Sequence, residues 1–215
     1  MKKILPLFLL GIFSLRPAHS QEFAGVCPNL TACVEHVSKL TGKSYLLPTN
    51  FKGKTNASAN LRLTKENAGL ILSEILNEAG YTRLSLSNGT YRVIPARDVR
   101  YNVTPEVFAD KETAPVLPDL SDYYMMTYNL TNPTLGRSFT RSFRPFMSRY
   151  GRIINSKISK QIIIQDTAIN LKRMYRLLSK LDGVATKEDI LKFEKGEKHR
   201  LKVELVKAKS CSEKN

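Results

Sequence analysis

The sequence reads KQIIIQDTAINLKRMYRLLSKL at residues 160–181, and this stretch decides the fold of the second half of the chain. Three consecutive isoleucines between polar residues predict a strand in a central position of a sheet. Asp166 or Thr167 can cap the helix that follows. Apolar residues then recur at helical spacing up to Gly183, namely Leu171, Met174, Leu177, Leu178 and Leu181. A strand that leads straight into an amphipathic helix predicts a mixed α and β unit.

The residues before this stretch complete the unit, which we place at 123–183. Tyr124–Leu130 is typical of a strand and Arg152–Ser156 of a second one. Between them, Asn132-Pro133 indicates a helix start, and Pro145 can kink or restart the helix. Its predicted apolar face is Leu135, Phe139, Phe143, Phe146 and Met147. The predicted order is β-α-β-β-α, a sheet with two helices on one face, as in KH-like modules.

A first unit is predicted at residues 21–94, and its order is helix, strand, strand, helix and hairpin. The elements are Leu30–Leu40, Ser44–Leu47, Thr55–Leu63, Ala68–Ala79, and Tyr81–Leu86 paired with Thr90–Ile94. Asn88-Gly89 supplies the positive φ angles of the hairpin turn. Residues 95–122 contain four prolines and little periodicity, which predicts an extended linker. We therefore expect an α+β chain of two small, independently folding domains.

The N-terminus has the pattern of an export signal. Lys2 and Lys3 precede the apolar run Ile4–Phe13, and Ala18-His19-Ser20 supplies a small-x-small cleavage pattern. Residues 1–20 are therefore predicted to be a secretory signal peptide. The apolar run is about half of the roughly 20 residues that a spanning helix needs. We expect a periplasmic mature protein without a transmembrane segment.

Export changes the interpretation of the three cysteines, because disulfides persist in oxidising compartments. Cys27 and Cys33 flank PNLTA, where Asn29 or Thr31 can cap a helix. A disulfide between them could tie the N-terminal arm to the first helical turn, with Cys211 left over. The alternative is three free thiols.

The charge and the motifs exclude several function classes. Lys and Arg number 34 against 19 Asp and Glu, a formal net charge of +15, which indicates an acidic or anionic neighbour. There is no G-x-S-x-G, no H-E-x-x-H and no glycine-rich phosphate loop, and His19, His36 and His199 are scattered. We expect no enzymatic activity, no catalytic residues, no cofactor and no metal site.

The charged tail at 184–215 allows two interpretations. Leu201, Val203 and Leu205 alternate like the opening strand of a further repeat. The alternative is a solvated tail with a short helix near Ile190–Phe193.

Segments from both units carry a family resemblance. In the first unit they are VSKLTGKSY (37–45), NFKGK (50–54), LTKENA (63–68), LNEAGY (76–81) and YRVIP (91–95). In order, they resemble the N-terminal periplasmic domain of bacterial secretins, which is akin to the signalling domain of TonB-dependent transducers. In the second unit, FRPFMS (143–148), GRI (151–153), IIIQDTAINL (162–171) and LSKLD (178–182) resemble the next secretin ring domain.

The resemblance implies binding and assembly in an envelope apparatus, either type II secretion across the outer membrane or a type IV pilus. It covers roughly residues 30–183 and does not extend to a C-terminal barrel, so we expect the N-terminal half of a secretin. The implied partners are secretion or pilus envelope proteins, including a secretin or an inner-membrane platform protein, and further copies in a homo-oligomeric ring. The alternative is a standalone periplasmic adaptor or signalling module.

A second alternative is binding of nucleic acid, because arginines and aromatics interleave at residues 137–152, as they do in proteins that bind single strands. However, Phe139, Phe143 and Phe146 recur at i, i+4 and i+7, which favours the core face of a helix. The unit also lacks the Gly-x-x-Gly loop of KH modules. We therefore predict that Arg137, Arg141 and Arg144 form an exposed stripe that binds an acidic protein surface.

Overall fold

The structure is a computed structural model of the 215-residue chain. It describes residues 21–22, 27–55, 62–86, 88–156 and 160–212. The predicted signal peptide, residues 1–20, lies outside the described residues. Helices pack against small sheets in both halves of the chain, which confirms the mixed α+β fold.

In the described residues of the N-terminal unit there are two helices and a three-stranded sheet. Its elements are β1 (Gln21–Glu22), α1 (Leu30–Thr41), β2 (Ser44–Leu46), β3 (Arg62–Leu63), α2 (Ala68–Glu78), β4 (Tyr81–Ser85) and β5 (Thr90–Pro95). The strand order is β2-β5-β4, with β2 parallel and β4 antiparallel to β5. β1 pairs with β3 in a separate antiparallel ribbon. Residues 56–61 of the predicted strand at 55–63 lie outside the described residues.

Local signals fix the first helix where the sequence predicts it. The Asn29 side chain accepts a hydrogen bond from the Ala32 amide at 2.9 Å, so it caps α1. Gly42 ends the helix with φ at 70° and donates its amide to the Ser38 carbonyl. The apolar sides of α1 and α2 bury Val34, Val37, Leu72 and Leu76 in one core. Both predicted helices of this unit are confirmed.

The second unit is a four-stranded sheet with two helices on one face. Its elements are β6 (Glu106–Asp110), β7 (Tyr123–Asn129), α3 (Gly136–Ser142), β8 (Arg152–Ser156), β9 (Gln161–Thr167) and α4 (Ala168–Leu181). The order is β6-β7-β9-β8, so the isoleucine strand lies inside the sheet, as predicted. Ile162 and Ile164 are fully buried, packed with side chains from α3 and α4. Residues 123–167 and α4 follow the predicted β-α-β-β-α order.

Residues 95–122 differ from the predicted extended linker. A 3-10 helix at Ala96–Tyr101 packs Ala96 and Val99 against Tyr123. β6 then joins the second sheet parallel to β7. Pro105 directly precedes β6, so its missing amide does not interrupt that strand. The division into domains at 21–94 and 123–183 stays a prediction.

The helix of the arginine stripe is shorter than predicted. α3 ends at Ser142, and a 3-10 helix at Arg144–Phe146 follows. The cause is Pro145, because a proline disfavours the α conformation at the residue before it. Phe139 and Phe143 are buried, whereas Phe146 is 47% exposed. The prediction that Phe146 belongs to the core was therefore wrong.

The tail forms a single long helix, α5 (Lys187–Ser212). The strand predicted around Leu201–Leu205 was wrong, and the helix is much longer than the one expected at Ile190–Phe193. A helix satisfies its own backbone, and Lys, Glu and Leu are strong helix formers. A strand would have needed a partner. α5 contacts the rest of the chain at a 3-10 segment, Pro133–Leu135. In the described ranges, no helix is long and apolar enough to cross a membrane.

Candidate protein-binding site

The three predicted stripe residues are exposed and lie close together. Arg137 and Arg141 lie on α3, and Arg144 lies in the 3-10 helix that follows it. With Thr140 and Asn155 they line a shallow depression between α3 and β8. The structure therefore brings the three guanidinium groups to one surface, although not on a single regular helix. This geometry suits an acidic partner, because guanidinium groups bind carboxylates in bidentate fashion.

Two features hold this surface against the sheet. A methyl group on Gly136 would lie 2.5 Å from the Asn155 side-chain oxygen, so glycine allows the close approach of α3 to β8. On the buried side, Phe139 and Phe143 pack edge to face with ring centroids 5.6 Å apart. Phe139 and Phe143 therefore lie on the buried side of the arginine surface and do not form an exposed platform for stacking bases.

The two N-terminal cysteines are joined in the structure. Cys27 and Cys33 form a disulfide with their Cα atoms 4.2 Å apart, and both side chains are buried. The Thr55 hydroxyl donates to the Cys27 carbonyl. The chain before α1 is thus attached both to the first turn of the helix and to the segment after Gly53. Nothing is described of the Cys211 side chain.

A buried ion pair joins the two units, and the sequence analysis did not find it. Arg83 of β4 is fully buried and donates through Nε to both oxygens of Asp122, at 2.8 and 3.0 Å. Its Nη2 donates to the Gly69 carbonyl at 2.8 Å, and its guanidinium lies 5.1 Å from the centre of the Tyr91 ring. Burial raises the pKa of Asp122, and the charge of Arg83 opposes that rise. Burial lowers the pKa of Arg83, but Asp122 outweighs it, so the net shift of Arg83 is upward.

The chain around Asp122 bonds to both units. On the N-terminal side, the Ser121 amide donates to Ser73 Oγ at 3.0 Å and its hydroxyl to Glu74 at 2.5 Å. On the other side, the Asp122 carbonyl accepts from the Ala168 amide at 2.9 Å, at the start of α4. We call residues 119–122 and their partner Arg83 the junction. It connects the first unit to the helix-covered side of the second sheet.

A second contact lies on the opposite side of that sheet. Gln165 of β9 is buried and donates to the Thr104 hydroxyl at 3.1 Å, in the segment before β6. The 3-10 helix at Ala96–Tyr101 thus covers one end of the sheet. The sequence contained one signal for the buried ion pair, namely a charged residue, Arg83, inside a predicted strand. In the structure Arg83 and its neighbours Thr82 and Leu84 are all buried.

Within the described ranges, no group of three or more His, Cys, Asp or Glu side chains could hold a metal ion. The arginine surface stays the candidate site that the sequence predicts, and the junction holds the two units together through Arg83 and Asp122.

Comparisons with known proteins show a likeness at the level of fold. No protein-family model matches the chain, and no curated protein matches it either. A chain of the Klebsiella pneumoniae type II secretion system outer membrane complex, with PulD, PulS and the PulC HR domain, has a TM-score of 0.58 at 18% identity. The match covers 72% of this chain and 26% of that one. The chain has the fold of secretin N-terminal domains.

Two other similar structures are secretin domains. The N-terminal domain of the secretin XcpQ from Pseudomonas aeruginosa shares 14% identity, with a TM-score of 0.29, over 74% of this chain and 63% of that one. The N0 domain of the type II secretin from enterotoxigenic Escherichia coli shares 17% identity, with a TM-score of 0.31, over 36% of this chain and 94% of that domain. This chain thus spans less than two thirds of the XcpQ domain and about a quarter of the K. pneumoniae chain.

Proposed function

We propose that the chain is a periplasmic, non-enzymatic assembly module of an outer-membrane secretion or pilus apparatus. The observation that carries the proposal is the secretin-type fold shared with a chain of the K. pneumoniae secretion complex. The predicted signal peptide at 1–20 supports export. The division into domains at 21–94 and 123–183 is part of the same proposal.

The proposed binding site is the surface of Arg137, Arg141 and Arg144, and the proposed partner is an acidic surface of an envelope protein. The three side chains are exposed around one depression. The K. pneumoniae structure contains PulS and the PulC HR domain beside PulD, which supports partners of the secretion-envelope class. We further propose that copies of the chain assemble into a homo-oligomeric ring.

The disulfide between Cys27 and Cys33 is proposed to be present in the exported protein. It closes a short loop around the start of α1, and we propose that Cys211 carries a free thiol. Such a bond is stable in the periplasm, so it agrees with the proposed location.

The test is capture of envelope proteins on the purified chain at low and high salt. We expect the wild type to retain secretion or pilus proteins, and the variant Arg137→Glu/Arg141→Glu/Arg144→Glu to lose them. The matched control is Lys52→Glu/Lys54→Glu/Arg97→Glu, which makes the same change of charge at exposed positions elsewhere. Equal retention of envelope proteins by both variants would contradict the proposal that the arginine surface is the binding site. Retention of nucleic acid alone, lost in the stripe variant, would favour the nucleic-acid alternative.

A further inference from the structure

The second unit has a one-sided distribution of charge. Residues 131–181 contain eleven Lys and Arg residues and a single acidic residue, Asp166. Asp166 is fully buried, where it accepts hydrogen bonds from the Ser148 and Thr167 amides at 3.0 and 2.7 Å. The surface that the described part of this segment contributes is therefore basic, and a partner that binds it must bring negative charge.

Helix α4 contributes an exposed face to this basic surface. Ile169, Arg173 and Arg176 follow one another at i, i+4 and i+7, so they lie on one side of the helix. All three are exposed. The other side of α4 buries Leu171 and Met174 in the core of the second unit. The exposed face therefore combines one apolar side chain with two guanidinium groups.

Phe146 is held beside this face through its backbone. Its carbonyl accepts hydrogen bonds from Asn170 Nδ2 at 3.0 Å and from Arg173 Nη2 at 2.6 Å. Asn170 Nδ2 also donates to the buried Asp166 at 2.8 Å, which fixes the amide in place. The Phe146 ring packs edge to face on the buried Phe143, with centroids 6.3 Å apart. The exposed aromatic residue is therefore positioned before any partner binds, which lowers the entropic cost of binding.

A second depression lies at this place, with a volume of about 350 Å³. Its lining includes Phe146, Ile169, Arg173 and Arg176. Arg144, two residues before Phe146 in the same 3-10 helix, lines the first depression with Arg137 and Arg141. The two depressions are therefore neighbours, and an exposed phenylalanine lies between their arginines.

We propose that the arginine surface continues past Phe146 onto α4, and that Phe146 and Ile169 form its apolar anchor. The occupant is an acidic protein segment that carries an apolar or aromatic side chain. Its carboxylates pair with arginines on both sides of the anchor, and its apolar side chain packs on Phe146. Binding energy concentrates in central contacts of this kind, between aromatic residues and arginines. The inference rests on the proposed function, because it specifies the partner chemistry of the same surface.

A protein segment suits this surface better than a membrane does. Faces that bind membranes bury their apolar side chains among the acyl chains. Phe146 is 47% and Ile169 39% exposed, so the protein already covers more than half of each residue and leaves little to insert. A shallow depression with an apolar floor and a charged rim instead accepts the anchor side chain of a peptide.

The test measures the binding of two labelled peptides to the purified chain by fluorescence anisotropy. The first is a short peptide of Asp and Glu with one central phenylalanine, and the second has serine in place of the phenylalanine. The wild type should bind the first peptide about tenfold more tightly than the second. Phe146→Ala should bind the two equally, because both changes remove the same contact and their effects do not add. Arg176→Glu should weaken the binding of both peptides, since both carry carboxylates.

The matched controls are Phe108→Ala, which removes an exposed phenylalanine of β6, and Lys52→Glu, which reverses an exposed charge of the first unit. Both should bind the peptides like the wild type, and circular dichroism verifies that every variant is folded. Equal binding of the two peptides by the wild type, or additive effects of the two phenylalanine changes, would overturn the anchor. Tighter binding of anionic phospholipid vesicles or of a single-stranded oligonucleotide, lost in Phe146→Ala, would also overturn it.

Capture of envelope proteins separates this inference from the proposed function. If Phe146→Ala retains every envelope protein that the triple arginine variant loses, the anchor is wrong and the proposed function stands. If the wild type binds the phenylalanine peptide as expected but captures no envelope protein, the anchor is supported and the proposed function is contradicted.

Discussion

Arginine occurs at two places in this chain with opposite environments. Arg83 is fully buried at the junction, where a carboxylate, a backbone carbonyl and an aromatic ring surround it. Arg137, Arg141 and Arg144 lie exposed around a shallow depression. The same side chain therefore joins the two units in one place and lies at the solvent-exposed surface in the other. The difference lies in desolvation: a buried charge must keep its partner, whereas an exposed charge can exchange water for one.

Removing the buried arginine should have the largest effect. Arg83→Met leaves the Asp122 carboxylate buried without its cation, so we expect the free energy of unfolding to fall by about 3 to 5 kcal/mol. Urea denaturation followed by circular dichroism measures it. The double variant Arg83→Met/Asp122→Leu removes both charges and should recover most of the loss. A single variant as stable as the wild type would show that the pair does not hold the junction.

Removing a buried aromatic side chain behind the arginine surface should have an effect of similar size. Phe143→Ala should cost about 3 to 5 kcal/mol, because the side chain is buried in the core. Phe146→Ala should cost about half of that or less, since nearly half of the side chain is already exposed. Denaturant titration of both variants distinguishes the two sites. Equal costs would contradict the difference in burial.

The disulfide should contribute less. Replacing both cysteines, Cys27→Ser/Cys33→Ser, should lower the free energy of unfolding by about 2 kcal/mol, because the closed loop is short. Thiol labelling with mass spectrometry of the exported protein should modify Cys211 alone until a reductant is added. Labelling of all three cysteines without reduction would show that the exported protein lacks the disulfide.

The exposed arginines should have the smallest effect on stability. Each Arg→Glu change at residues 137, 141 and 144 should alter the free energy of unfolding by only a few tenths of a kcal/mol. Thermal unfolding of the triple variant, beside the Lys52, Lys54 and Arg97 control, measures this. A large loss in the stripe variant alone would place these arginines in the structural framework with Arg83.

The sequence predicted most of the elements whose signals are local. Helices α1, α2 and α4, the hairpin of β4 and β5, and the central isoleucine strand follow from apolar periodicity, caps and turn residues. The exposure of the three stripe arginines was also predicted, although Pro145 shortens the helix that carries two of them.

Features that depend on long-range contacts could not be predicted from the sequence in the same way. Arg83 and Asp122 are 39 residues apart, and no local pattern pairs them. β6 has only five residues and lies in a proline-rich segment, so its pairing depends on the strand beside it. Alternation at Leu201–Leu205 allowed a strand as one of two interpretations, but a helix needs no partner and forms instead. In each case the outcome depends on a tertiary contact or on its absence.

The central claim is that the exposed arginine surface binds an envelope protein of a secretion or pilus apparatus. The most direct measurement replaces Arg141 with a photo-crosslinking residue in the exported protein and identifies the crosslinked products by mass spectrometry. The same residue at Arg97, which is also exposed, is the control. We predict that position 141 crosslinks to a secretion or pilus envelope protein and that position 97 does not. Crosslinks to nucleic acid alone, or the same products from both positions, would contradict the account.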